Sequence, residues 1–140
     1  MTQHFGDQLE GFRRQLVAMG ADVERQIRLA VEAVVEADAV KARQVISGDA
    51  AIDHQEVKNE EDGILLLATQ QPVAIDMRLL ASLLEVVGEI ERMGDYAKGI
   101  ARIGQRLGGA TVPPDLARAI VTMGERCEDM LHRALDAFGA

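Results

Sequence analysis

Residues 9–34 read LEGFRRQLVAMGADVERQIRLAVEAV, and their apolar positions Leu9, Phe12, Leu16, Met19, Val23, Ile27, Ala30 and Val34 advance in steps of three or four. Such steps draw one stripe along a helix of 3.6 residues per turn, so the stretch predicts a long amphipathic helix over about residues 4–37. The same rhythm continues through the chain. Residues 38–46 read as a short helical continuation, Ser47-Gly48 offers a break with a cap, and a second long helix is expected over residues 49–69. Pro72, after Gln70-Gln71, suits the first turn of a third helix, where a missing N–H costs nothing. Ile75, Leu79, Leu83, Val86, Ile90, Met93, Ala97, Ile100 and Leu107 carry its stripe to Gly108-Gly109. Pro113-Pro114-Asp115 then opens a fourth helix, with Leu116, Ile120, Met123, Cys127, Leu131, Ala134 and Phe138 in line.

Nothing reads as a strand, so the expected fold is all-α. An antiparallel three-helix bundle of long helices occupies residues 1–108, and a linker with a fourth helix occupies 109–140. Composition agrees, because the 140 residues are 48% hydrophobic but only 3% aromatic, with no Trp, leaving few of the side chains that sheets are built from. The net charge of −8 and the scattered Lys and Arg residues oppose binding to nucleic acid or anionic lipid. No apolar run approaches the length of a membrane span, Cys127 has no second cysteine to pair with, and MTQHFGDQLEG lacks signal-peptide character. A cytoplasmic location without membrane insertion is the expectation.

The fourth helix also looks like a copy of the first. With residues 19–34 laid over 123–138, Met19-Gly20 meets Met123-Gly124, Glu24 meets Glu128, Ala30 meets Ala134 and Ala33 meets Ala137. On that reading the chain enters a second repeat and carries its first helix.

Two acidic pairs stand out: Asp49 with Asp53 on the second helix, and Glu91 with Asp95 on the third. Each pair puts two carboxylates one turn apart on one face. Asp49 lies as far before Pro72 as Asp95 lies after it, and Asp53 and Glu91 are placed likewise. In an antiparallel hairpin centred on Pro72 the four therefore share one level. Glu56 and Glu60 extend the acidic face of the second helix, and Glu89 adds a further carboxylate on the third. With His54 as the nearby nitrogen donor, such an oxygen-rich set suits iron or another hard divalent or trivalent cation, and not structural zinc. The competing reading makes Asp49 a helix cap and pairs Glu91 and Asp95 with Arg92 and Lys98 on a solvated face.

Other chemistry is poorly served. Glu125, Glu128, Asp129 and His132 lack the duplicated Glu-x-x-His spacing of a di-iron bundle, and no nucleophile elbow, phosphate loop or zinc-protease motif occurs.

The stretch from Asp49 to Ile103 resembles the PhoU family of phosphate-signalling proteins. The likeness rests above all on LLATQQPVAIDMR at residues 66–78 and EIERMGD at residues 89–95. Met19-Gly20 is similar to the family's opening helix, and Pro114-Asp115-Leu116 through Ala134-Leu135-Asp136-Ala137-Phe138 to the helix beginning its second repeat. The resemblance implies two three-helix repeats, and a non-catalytic role as negative regulator of the phosphate-starvation response and of phosphate uptake. It further implies contacts with a sensor histidine kinase and the phosphate transporter's ATPase subunit, and iron or other metal clusters on acidic motifs that map here onto Asp49, Asp53, Glu91 and Asp95. Gln55 and Asn59, where the family usually has aliphatic residues, and Glu89, where Asp is common, depart from its pattern.

Two rival functions remain at the level of sequence: a carboxylate-bridged metalloenzyme, against which stands the lack of a buried base or nucleophile, and a helical interaction module without ligand. The apolar stripe of the fourth helix calls for a cover, either by folding back into a four-helix bundle or, as favoured here, by a homodimer interface.

Overall fold

The computed structural model describes residues 2–139 and contains four α-helices: α1 (Thr2–Val35), α2 (Ala39–Gln70), α3 (Ala74–Arg106) and α4 (Pro114–Gly139). Helices α1, α2 and α3 pack against one another in a three-helix bundle, while α4 lies along α1 alone. The bundle core is aliphatic. Phe12, Leu16, Met19 and Val23 of α1 meet Val45 and Ile52 of α2 and Leu80, Leu83 and Val87 of α3, all of them fully buried. Their removal from water is the main force holding the helices together.

Helix α2 corrects the sequence reading. It runs unbroken through Ser47-Gly48, so the expected short helix and the long one are a single element. Its cap is Asp38, whose carboxylate accepts from the backbone N–H groups of Val40 and Lys41 at 3.0 and 3.1 Å. Ser47 satisfies its hydroxyl within the helix, donating to the carbonyl of Gln44. Gly48 lies inside the helix where α1 passes close beside it: a Cβ there would sit 2.9 Å from Nε2 of Gln26. Asp49 is consequently mid-helix and caps nothing. Pro72 also falls before α3 instead of within its first turn, since Val73 holds the N-cap position and the helix starts at Ala74.

The seating of α4 differs from expectation too. Leu131 and Leu135 turn into the contact with α1, whereas Leu116, Met123 and Cys127 of the expected stripe are exposed. Close approach decides which face wins. A Cβ on Gly20 would stand 2.5 Å from the Leu135 methyls, and one on Gly124 would stand 2.8 Å from a Val31 methyl, so each glycine receives a side chain of the opposite helix. Under the superposition of residues 19–34 on 123–138 these two contacts are equivalents. The ion pairs are as well: Arg28 donates to Glu128 at 2.9 Å, and His132 lies 3.5 Å from Glu24. The α1–α4 contact is therefore built with an approximate two-fold symmetry, and α4 does not close a four-helix bundle with α2 and α3.

Candidate metal centre

Helix α2 carries Asp49, Asp53, Glu56 and Glu60 at steps of four, three and four, and α3 carries Glu91, Asp95 and Lys98 at steps of four and three. Each set therefore forms one helical stripe. The two stripes face each other where the helices run close. Gly94 is buried against Ile52, and a Cβ at that position would lie 3.3 Å from the isoleucine Cγ2. A Cβ there would require Ile52 to give way by a few tenths of an ångström, so the two helices meet closely at the level of the carboxylates.

One carboxylate oxygen from each of Asp49, Asp53 and Asp95 lies within 4.8 Å of the others. Asp53 and Asp95 are exposed, whereas Asp49 is only 2% exposed. Its Oδ2 accepts from Lys98 Nζ at 3.2 Å, and its buried Oδ1 has no hydrogen-bond partner. An unsatisfied buried acceptor costs about 1–3 kcal/mol, a cost that the exposed carboxylates of Asp53 and Asp95 do not bear.

Glu91, the fourth carboxylate expected at this level, stands beside this trio. Its carboxyl is half-buried and pushed up to about 8, first by desolvation, then by a hydrogen bond with the adjoining Asp95 carboxylate, by the charges of Glu56 and Asp95, and by a hydrogen bond with Asp53. Glu56 is shifted upward as well, again by burial first and then by the charges of Glu60, Asp53 and Asp95. Carboxyls shifted upward in this way are crowded by like charge and short of positive charge. The arrangement offers several hard oxygen donors, some buried and some open to solvent, which is the chemistry of a hard-cation site.

The remaining candidates separate cleanly. Glu60 flanks the cluster through Glu56, whereas Glu89 points to solvent and pairs with Arg92 at 3.3 Å, so it is no part of the acidic face. His54 is exposed and lies outside the ligand trio. Lys98 pairs with Asp49 across the helices and not with its own neighbour Asp95, a contact that the sequence reading missed. On α4, Glu128 pairs with Arg28 and Asp129 with Arg133, so those acids serve as ordinary ion pairs. Gln55 donates to Asp22 at 2.9 Å, and buried Asn59 directs its amide at the Met19 sulfur at 3.6 Å, so both polar departures find partners on α1.

Comparison with known proteins follows the same geometry. Residues 16–104 match the PhoU domain. The chain is 38% identical over 138 residues to the phosphate-specific transport system accessory protein PhoU homolog of Pseudomonas putida, covering 99% of this chain and 54% of that protein. It is 34% identical over 138 residues to the Escherichia coli phosphate-specific transport system accessory protein PhoU, covering 99% of this chain and 57% of that one. The chain thus spans little more than half the length of these curated relatives. A crystal structure of PhoU from Pseudomonas aeruginosa superposes with a TM-score of 0.89 at 36% identity, over 96% of this chain and 64% of that one.

Proposed function

The chain belongs to the PhoU family, and on that premise we propose that it is a regulatory adaptor of phosphate transport and signalling, acting by protein contact and not by catalysis. In this reading it restrains phosphate uptake and the phosphate-starvation response by engaging the transporter's ATPase subunit and a sensor histidine kinase in the cytoplasm. The relatives' names, as accessory proteins of a phosphate-specific transport system, support the coarse role. That no described helix is long and apolar enough to cross a membrane accords with it.

The acidic face supplies the regulatory ligand site. Asp49, Asp53 and Asp95 would hold iron or another hard cation, with Glu91 and Glu56 beside them, and the ion would offset the charge that these residues concentrate. The observation that carries this reading is a three-carboxylate cluster in which one member, Asp49, is buried and keeps an unpartnered Oδ1. A bound cation would stiffen the α2–α3 pairing and fix the surface shown to partners. The symmetric seating of α4 favours its being the first helix of a second repeat, and its open apolar stripe would serve self-association in this chain.

The test is genetic. In cells lacking the native gene, a complete protein carrying Glu91→Ala with Asp95→Ala is expected to fold but to leave phosphate-starvation genes switched on in high phosphate. Full repression by that variant would refute a regulatory role for the acidic face.

A further inference from the structure

Lys98 is the cation that reaches the carboxylates; among the described residues no other ion pair involves Asp49, Asp53, Glu56, Glu91 or Asp95. Its Nζ donates to Asp49 Oδ2 at 3.2 Å from one turn beyond Asp95 on α3. The two partners differ in freedom. The Asp49 side chain is 3% exposed and fixed on the inward face of α2, whereas the Lys98 side chain is 28% exposed at the edge of the cluster. A lysine carries its charge on a flexible four-carbon stem, so the ammonium can swing into water while the aspartate stays in place.

We propose that Lys98 is a built-in competitor for the cation: its ammonium holds Oδ2 of the same carboxylate whose Oδ1 is free, and by its like charge beside the trio it sets the affinity of the site. This rests on the cation-site reading of the acidic face. With no ion bound, Lys98 neutralises the one carboxylate of the trio that has no access to solvent. An entering cation finds Oδ1 of Asp49 free but meets the repulsion of the like charge that Lys98 places on the same carboxylate. That repulsion weakens the hold of Lys98 on Asp49, so loading the site favours the ammonium swinging toward the protein surface.

A purely structural role for Lys98 makes a different forecast. In either case removing the lysine weakens the metal-free fold, because a buried carboxylate loses its partner. Only the competitor role predicts that the same substitution strengthens metal binding.

The experiment compares wild type, Lys98→Met and Lys98→Arg as chelator-treated proteins. Each is titrated with Mn2+, reading the free ion by electron paramagnetic resonance and thermal unfolding in parallel. Lys98→Met is expected to bind Mn2+ about tenfold more tightly or better, the change that follows from removing a unit charge close to the ion. Its metal-free melting temperature falls and is restored by Mn2+, while Lys98→Arg stays near wild type. Equal or weaker Mn2+ binding by Lys98→Met overturns the competitor role and leaves the cation site standing. Absence of Mn2+ binding by all three proteins at millimolar ion overturns the cation site, and the competitor role with it. Should Lys98→Met fail to fold, Lys98→Gln, which keeps a donor for Asp49 without the charge, is titrated in its place under the same criteria.

Discussion

At the scale of the residue, Glu91 and Asp49 show how one acidic face holds carboxylates in opposite conditions. Glu91, half-buried among anions, is pushed up to about 8, so the folded protein keeps a proton there that the unfolded chain releases near its ordinary value of 4.5. Between those two values the folded state binds more protons than the unfolded one. Stability of the metal-free protein from this group is thus greatest below about 4.5 and declines as pH rises toward about 8. Glu91→Gln keeps the shape and removes the charge. Denaturant titrations in chelator at pH 5 and pH 8 are expected to show a flatter pH dependence and a gain in stability at pH 8; a loss of stability at pH 8 would count against the crowding of anions described here. Asp49 was harder to read. Its burial becomes legible only when α2 is continuous, because it then falls in line with Ala42, Val45 and Ile52 on the inward stripe. Treating Ser47-Gly48 as a stop put Asp49 at a helix start, where an exposed capping role came naturally. The charge of a residue says nothing about its depth until the face it occupies is known.

At the scale of the element, local periodicity revealed what is local. The stripes of α1 and α3 gave those helices, and the Pro72 region gave the corner that brings the acidic pairs level. Two features lay beyond that information: that a buried Gln26 needs the room of Gly48, and that α4 chooses its contact face through Gly20 and Gly124. Both depend on how closely another helix approaches, which no single-helix pattern encodes. The consequence for α4 is measurable. Leu135, buried in the groove at Gly20, is expected to cost about 2–3 kcal/mol when cut to alanine. Met123, 64% exposed on the opposite side, is expected to change the stability of the folded chain by less than about 0.5 kcal/mol. Urea unfolding of the two variants gives the contrast. The unaltered chain is expected to sediment above its monomer mass, and replacing Met123 and Met130 together by glutamate to return it to the monomer; a monomeric unaltered chain would refute self-association through this face.

At the scale of the whole molecule, a three-helix body displays an acidic face between α2 and α3 and an apolar face on the free side of α4. The fully buried Met19 and the exposed Met123 occupy equivalent places in the approximate two-fold, so one helix is covered on both sides and its counterpart on one. The all-helical fold and its hairpin centre could be read from sequence because hydrophobic spacing and proline placement act over a few turns. The one-sided contact of α4 could not, since its several apolar stripes suit different neighbours and only the assembled surface selects among them. The acidic face holds the central claim, and it is tested most directly by metal content. Wild-type protein and the triple variant Asp49→Asn, Asp53→Asn, Asp95→Asn are stripped with chelator, loaded with Fe2+ under anaerobic conditions, dialysed and assayed by elemental analysis, with circular dichroism to verify the helices. The account predicts stoichiometric metal on the wild type and none on the variant at equal helicity; equal metal on both folded proteins, or none on either, would contradict it.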